Sequence, residues 1–194
     1  MSSQWLQLWV ERRGLDPAAW TASHALQLLL GGEAPAHLGR ADLWELEAED
    51  AGEGLAARFE TWTRASNLFL NPGRDRGFVL AGAPPDPVPV TAYVVVCDRG
   101  GGEARAHALT LSHALGGRWR ARRGTVLTIV WSPERADDVP ELADRVAYAR
   151  RRRSGLLVND EAQEARILVG EWCCPVLPPW DAVPRAAAGG NDRG

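Results

Sequence analysis

The sequence predicts an α+β fold of two tandem split β-α-β repeats, each an antiparallel sheet with two helices on one face, the pair related by a pseudo-two-fold axis. Two observations predict it. The first is a double echo. Asn67-Leu68-Phe69-Leu70-Asn71-Pro72 returns as Gly155-Leu156-Leu157-Val158-Asn159-Asp160, and Ser23-His24-Ala25-Leu26 returns as Ser112-His113-Ala114-Leu115. Asn71 and Asn159 stand 88 positions apart, His24 and His113 stand 89 apart. Two echoes in one order and at nearly one step indicate duplication of a unit about half the chain long. The second observation is that the apolar periodicity repeats with the echoes.

Each half reads strand, helix, strand with room for a hairpin partner, helix, strand. A strand is expected over 6–12. After Trp20, Ala22, Ala25, Leu26 and Leu29 recur at helical spacing, and 89 positions on the first three become Leu111, Ala114 and Leu115. From Gly39, Trp44, Leu46 and Ala48 alternate with Glu45, Glu47 and Glu49, the pattern of a half-buried strand. At a step of 85, Trp44 and Leu46 fall on Ile129 and Trp131, in the strand that Gly124 opens. Leu55, Phe59 and Trp62 make a second helical stripe, answered 87 positions on by Leu142, Val146 and Ala149. Pro140 suits the first turn of that later helix, and Asp137 or Asp138 is placed to cap it. The outer strands are 77–81 in the first half and 91–97 and 165–169 in the second. Trp44, Trp62 and Trp131 are expected in the core.

The halves are 1–82 and 91–170, and they can form two small domains or one fused sheet. Residues 83–90 between them hold four prolines in the seven positions 83–89, an extended, stiff linker. Residues 171–194 form a proline-containing tail whose end is expected to be disordered.

Composition narrows the function. The net charge of −3 argues against general nucleic-acid binding. No run approaches the roughly 18 apolar residues of a membrane helix, and no signal-peptide pattern opens the chain, so a cytoplasmic protein is expected. All 22 basic residues are arginine, a residue suited to bidentate contacts with carboxylates and phosphates. Cys97 is expected to be buried in a strand, and the vicinal pair Cys173-Cys174 is unfavourable for an ordinary disulfide. No histidine and cysteine spacing suggests a metal, no motif suggests a cofactor, and no serine or cysteine carries a nucleophile signature. Gly100-Gly101-Gly102 could hold an anion at a helix start, but Glu103 beside it would repel a phosphate. His24 and His113 read as structural or solvent-facing. Arg150-Arg151-Arg152-Arg153 reads as a solvated helix end complementing the dipole, or as a contact for phosphate, RNA or an acidic partner.

Each half resembles PurS, the small subunit of phosphoribosylformylglycinamidine synthase. Leu8-Trp9-Val10-Glu11-Arg12-Arg13-Gly14-Leu15-Asp16-Pro17 resembles the family's first strand and Leu-Asp-Pro turn. Ser23-His24-Ala25-Leu26 resembles its first helix, and Gly39-Arg40-Ala41-Asp42-Leu43-Trp44-Glu45-Leu46-Glu47 its Gly-Lys strand, with Arg40 for lysine. Asn67 to Pro72 resembles the Leu-Leu-Ala-Asn-Pro end of its second helix. In the second half, Gly124 to Trp131 and Leu156-Leu157-Val158-Asn159 keep the corresponding places, but Asp98-Arg99-Gly100-Gly101 replaces the Asp-Pro turn and Asn159-Asp160 replaces Asn-Pro.

The resemblance implies two ferredoxin-like repeats and a non-catalytic adaptor for purine biosynthesis. It would act as a covalent PurS-like dimer joining a synthetase (PurL-like) subunit to a glutaminase (PurQ-like) subunit, so that ammonia passes between them. The family contact would lie on the first half, at Arg12, Asp16, Pro17, Asn71 and Pro72. Asp-Pro and Asn-Pro are also ordinary turn formers. Self-association, a stand-alone ligand-binding module and an RNA-binding protein centred on the arginine run are the alternative readings.

Overall fold

The computed structural model describes residues 3–80, 90–98, 102–148, 157–158 and 163–170. The strands are β1 (Ser3–Arg12), β2 (His37–Glu49), β3 (Asp75–Leu80), β4 (Thr91–Asp98), β5 (Arg118–Val130) and β6 (Gln163–Val169). The helices are α1 (Pro17–Leu30), α2 (Leu55–Ser66), α3 (Gly102–Leu115) and α4 (Val139–Ala147), with short 3-10 turns at Gly31–Glu33 and Pro133–Asp138. The six strands make one antiparallel open sheet in the order β3-β1-β2-β5-β4-β6. The fold is thus α+β, with the halves fused in one sheet. No hairpin partner for β2 or β5 is present among the described residues; each runs unbroken for 13 residues.

The β2–β5 pair joins the halves over its whole length, from His37 opposite Val130 to Glu49 opposite Arg118. Its register follows from two alternating patterns. On one face Leu46 and Ala48 meet Ala121 and Trp119. On the other face Glu45, Glu47 and Glu49 stand opposite Arg122, Arg120 and Arg118. Arg120 lies 3.7 Å from Glu47 and Arg118 3.5 Å from Glu49. A slip of one residue would set glutamates against the apolar side and break both patterns together.

The helices cover one face of the sheet and exchange between halves. One core joins Leu6, Leu8 and Val10 of β1, Trp44 and Leu46 of β2, and Leu55 and Phe59 of α2 to Ala104, Ala108 and Leu111 of α3 and Trp119 of β5. The other joins Ala92, Val94 and Val96 of β4, Ile129 and Trp131, and Val139, Leu142, Ala143 and Val146 of α4 to Ala19 and Leu26 of α1 and Leu38 of β2. Each half therefore lends its first helix to the core of the other. A smaller cluster of Leu43, Val95, Cys97 and Val126, flanked by Trp9, Tyr93 and Leu168, forms on the opposite face.

Several expectations hold in detail and others shift. Trp44 and Trp131 are buried, and Cys97 is a buried free thiol. Trp62 is only half-buried and sits edge-on to Phe69 at 6.3 Å. The buried stripe of α2 is Leu55, Phe59 and Thr63, so a spacing of four carries Thr63 inward and turns Trp62 to the flank. Leu29 and Ala114 are exposed, because the inward residues are Ala19, Ala22, Leu26 and Leu30 on α1 and Ala104, Ala108 and Leu111 on α3. Pro140 lies in the first turn of α4, but Asp138 makes no capping bond and faces Arg135 at 3.4 Å. The linker 83–89, Ala149, Arg150 to Arg153 and the tail with Cys173-Cys174 lie outside the described residues. No described helix is long and apolar enough to cross a membrane.

Two stability tests follow from the packing. Phe59 is fully buried between α2 and Trp119, so Phe59→Ala should cost about 3–5 kcal/mol in urea unfolding. Gly116 and Gly117 both have positive φ, but a Cβ on Gly116 meets open space whereas one on Gly117 would lie 2.6 Å from the Glu49 carbonyl oxygen. Gly116→Ala should cost about 1–2 kcal/mol, the left-handed backbone penalty alone. Gly117→Ala should shift the unfolding midpoint clearly further, and equal midpoints would contradict this placement of the β5 start against β2.

Candidate functional site

Charges interrupt the apolar side of the sheet at one place. On β1 the core-facing series Leu6, Leu8, Val10 ends in Arg12. On β2 Arg40 and Asp42 stand between Leu38 and Trp44. On β5 Arg123 follows Trp119 and Ala121, and on β3 Asp75 pairs with Arg12. These positions converge on a pocket of about 340 Å³. Its remaining walls are Asp16 at the start of α1, Leu68, Phe69 and Arg74 after α2, and Glu103 and His107 on α3. Because α3 crosses from the second half, the site is built from both halves.

Local structure fixes each wall. Asp16 caps α1: its Oδ1 accepts from the Ala18 and Ala19 amides at 2.8 and 3.2 Å, and Pro17 occupies the first turn. Its Oδ2 lies 3.4 Å from Arg40. Asn67 ends α2 in the left-handed conformation, which asparagine tolerates, and the chain turns so that Phe69 and Leu70 enter the core. Asn71 then organises the turn into β3. Its side-chain oxygen accepts from the Gly73 amide at 3.0 Å, and its carbonyl accepts from the Arg74 and Asp75 amides at 2.9 and 2.7 Å. The Asp75 carboxylate in return accepts from the Asn71 amide at 2.9 Å.

Arginines and carboxylates are laced across the pocket. Asp42 accepts from Arg40 at 3.0 Å and from Arg123 at 3.1 Å. Arg123 also donates to Glu103 at 2.6 Å, and its guanidinium lies 5.4 Å from the Trp44 ring. Arg74 holds Asp75 at 3.0 Å. The Arg74 bond is the main cause that lowers the Asp75 pKa below the usual carboxylate range, and the Asn71 amide adds to it against burial. For Arg123 burial opposes the charge, but Asp42 and Glu103 together outweigh it and raise the pKa. His107 packs on Trp44 and Phe69, with ring centroids at 4.5 and 5.2 Å, and its Nδ1 lies 2.9 Å from the Glu103 carbonyl oxygen.

Each pocket carboxylate already faces an arginine, and no group of three metal-ligating side chains exists among the described residues. Arg12 makes no hydrogen bond or ion pair with described residues, although Asp75 feels its charge.

Of the residues expected from sequence to form a partner contact, Arg12, Asp16, Pro17, Asn71 and Pro72, only Arg12 and Asp16 line this pocket. Pro17 starts α1, and Asn71 with Pro72 forms the turn that positions Arg74 and Asp75. Arg74, Asp75, His107 and Arg123 escaped the sequence reading, and Asp42 and Arg40 entered it only as part of a strand motif. The available signal was charge at core-facing strand positions. Glu103, expected from sequence to repel a phosphate beside its glycines, accepts a bond from Arg123. His24 stacks on Trp20 at 5.8 Å on the exposed side of α1, and His113 is exposed, so neither joins the site.

The chain matches no known protein family, no curated protein and no solved structure.

The lowered Asp75 pKa sets a pH dependence. A depressed folded-state pKa adds stability above the unfolded value, near 3.9, and loses it as pH falls through the folded value. Wild-type stability should therefore decline below about pH 4, and Asp75→Asn, though less stable at neutral pH, should flatten that decline. Chemical unfolding from pH 6 to pH 2 measures both; parallel curves would remove Asp75 as a contributor.

Proposed function

We propose that the chain is a non-catalytic, PurS-like adaptor of two tandem ferredoxin-like repeats, acting in the cytoplasm to join a synthetase subunit to a glutaminase subunit of phosphoribosylformylglycinamidine synthase. The observation that carries this reading is the reciprocal exchange of helices. Interchanging β1, β2 and β3 with β4, β5 and β6 reverses the strand order onto itself, and α1, seated on β2, reaches into the second-half core as α3, seated on β5, reaches into the first-half core. That is the arrangement expected of a dimer whose subunits have become covalently joined, with the concentration dependence of pairing removed. Trp44 and Ile129, and Phe59 and Val146, lie in opposite cores on the elements this interchange pairs, which supports the repeat.

Two features support a protein partner on the first half. Leu15, Trp20 and Leu28 are 69%, 59% and 76% exposed, an apolar stripe along and just before α1. The polar pocket opens at the same end, at Asp16. The bonds of Asp16 and Asn71 are internal, so these residues support the contact by shaping α1 and the turn, while the stripe supplies the apolar area.

Purified with synthetase and glutaminase subunits from its own source, the chain should form a complex and restore glutamine-dependent amidine synthesis, with little effect on the ammonia-dependent reaction. Trp20→Glu with Leu28→Glu should abolish the complex while leaving the thermal midpoint nearly unchanged, since both side chains are exposed. Full glutamine-dependent activity without the chain would end the adaptor reading, and an intact complex with the double variant would move the contact elsewhere.

A further inference from the structure

We propose that the pocket between the end of β1, the turn from Asn71 to Asp75 and α3 binds the oxyanion group of a small molecule, a phosphate or a carboxylate. This inference stands apart from the adaptor reading. It rests on the distribution of donors. Asp16, Asp42, Asp75 and Glu103 each already accept from an arginine, and Asp16 and Asp75 also accept backbone amides. Beyond these bonds the lining arginines keep N–H donors facing the cavity beside the His107 ring, since a guanidinium has five donors and no acceptor.

Arg12 is the centre of this surplus. It lies on the apolar side of the sheet, beside Asp75 on β3 and next in register after the Glu11 and Ala41 pair of β1 and β2, which brings it beside Arg40. Arg40 is occupied by Asp16 and Asp42, and Asp75 by Arg74. Two neighbouring guanidinia with one still unbonded favour an acceptor between them, and oxyanions are the groups whose geometry matches the guanidinium fork. Arg74 brings a third guanidinium to the same rim. Val10, Phe69 and Trp44 are buried behind the pocket, whose exposed lining is mostly polar, and about 340 Å³ leaves room for a compact anion.

The test uses the full chain titrated by calorimetry with phenyl phosphate, benzoate and the neutral benzyl alcohol, with amide shifts of Gly73, Glu103 and His107 followed by NMR. One or both anions should bind saturably at one site and shift those amides, the tighter of the two identifying phosphate or carboxylate as the preferred group. Benzyl alcohol should bind far more weakly. Arg12→Gln should weaken anion binding roughly tenfold or more, as loss of a charge-assisted bond does. It should stay folded, because Arg12 holds no internal bond, and Arg105→Gln on the exposed side of α3 should bind as wild type. No saturable binding by either anion, equal binding of the alcohol, or an Arg12→Gln variant that binds normally would each overturn the proposal. The titration contains no synthetase or glutaminase, so its failure leaves the adaptor reading untouched, and the converse holds.

Discussion

The pairing of β2 with β5 is the interaction on which the rest of the structure depends. It is the longest pairing in the sheet, and among the described residues only through it do the strands of the two halves meet. Glutamates opposite arginines line one side and apolar residues line the other. Each surface ion pair contributes little alone, about 0–1 kcal/mol, because Arg118 and Arg120 are well exposed. Their importance is to register. Apolar alternation fixes the face, and the charge ladder opposes sliding by two residues, which would preserve the alternation.

Helix exchange follows from that junction. With β2 and β5 side by side, α1 lies across the end where Leu38 meets Ile129, and α3 across the end where Ala48 meets Trp119. Each core then includes a helix from the other half, so each half alone would keep only its second helix, α2 or α4, over its core. The pocket has the same origin. His107 reaches Trp44 of the first half because α3 lies over the junction, and Glu103 holds Arg123, which in turn reaches Asp42. Arg123, anchored by carboxylates from both halves, ties the polar site to the sheet centre.

The sequence carried the strands and helices clearly, because alternation and helical spacing are local properties. Glu45, Glu47 and Glu49 alternating with Leu46 and Ala48 mark a strand, but its polar face is not open as the alternation suggests: Glu45 and Leu43 are buried. The partner of each helix was not legible: an apolar stripe states which face is buried and is silent about which half buries it. Trp62 was misplaced because helical spacing admits it beside Leu55 and Phe59, whereas the packed stripe continues at a spacing of four to Thr63. The site was half legible. Asp16-Pro17 and Asn71-Pro72 marked turns, and the turns do frame the pocket. Arg123 and His107 were hidden, since one needs the β2–β5 register to reach Asp42 and the other needs the crossing of α3. Glu103 was judged beside its glycines alone, without the arginine it meets.

The most direct measurement of this account is native-state hydrogen exchange of the β1 and β4 amides across a denaturant series. These strands lie in opposite halves and in separate cores. If the β2–β5 junction and the exchanged helices bind the halves into one cooperative unit, the slowest amides of both strands should converge on one opening free energy with one denaturant slope. Amides of one strand that exchange through a distinctly lower free energy and smaller slope, while the other stays protected, would show that the halves fold independently and would contradict the account.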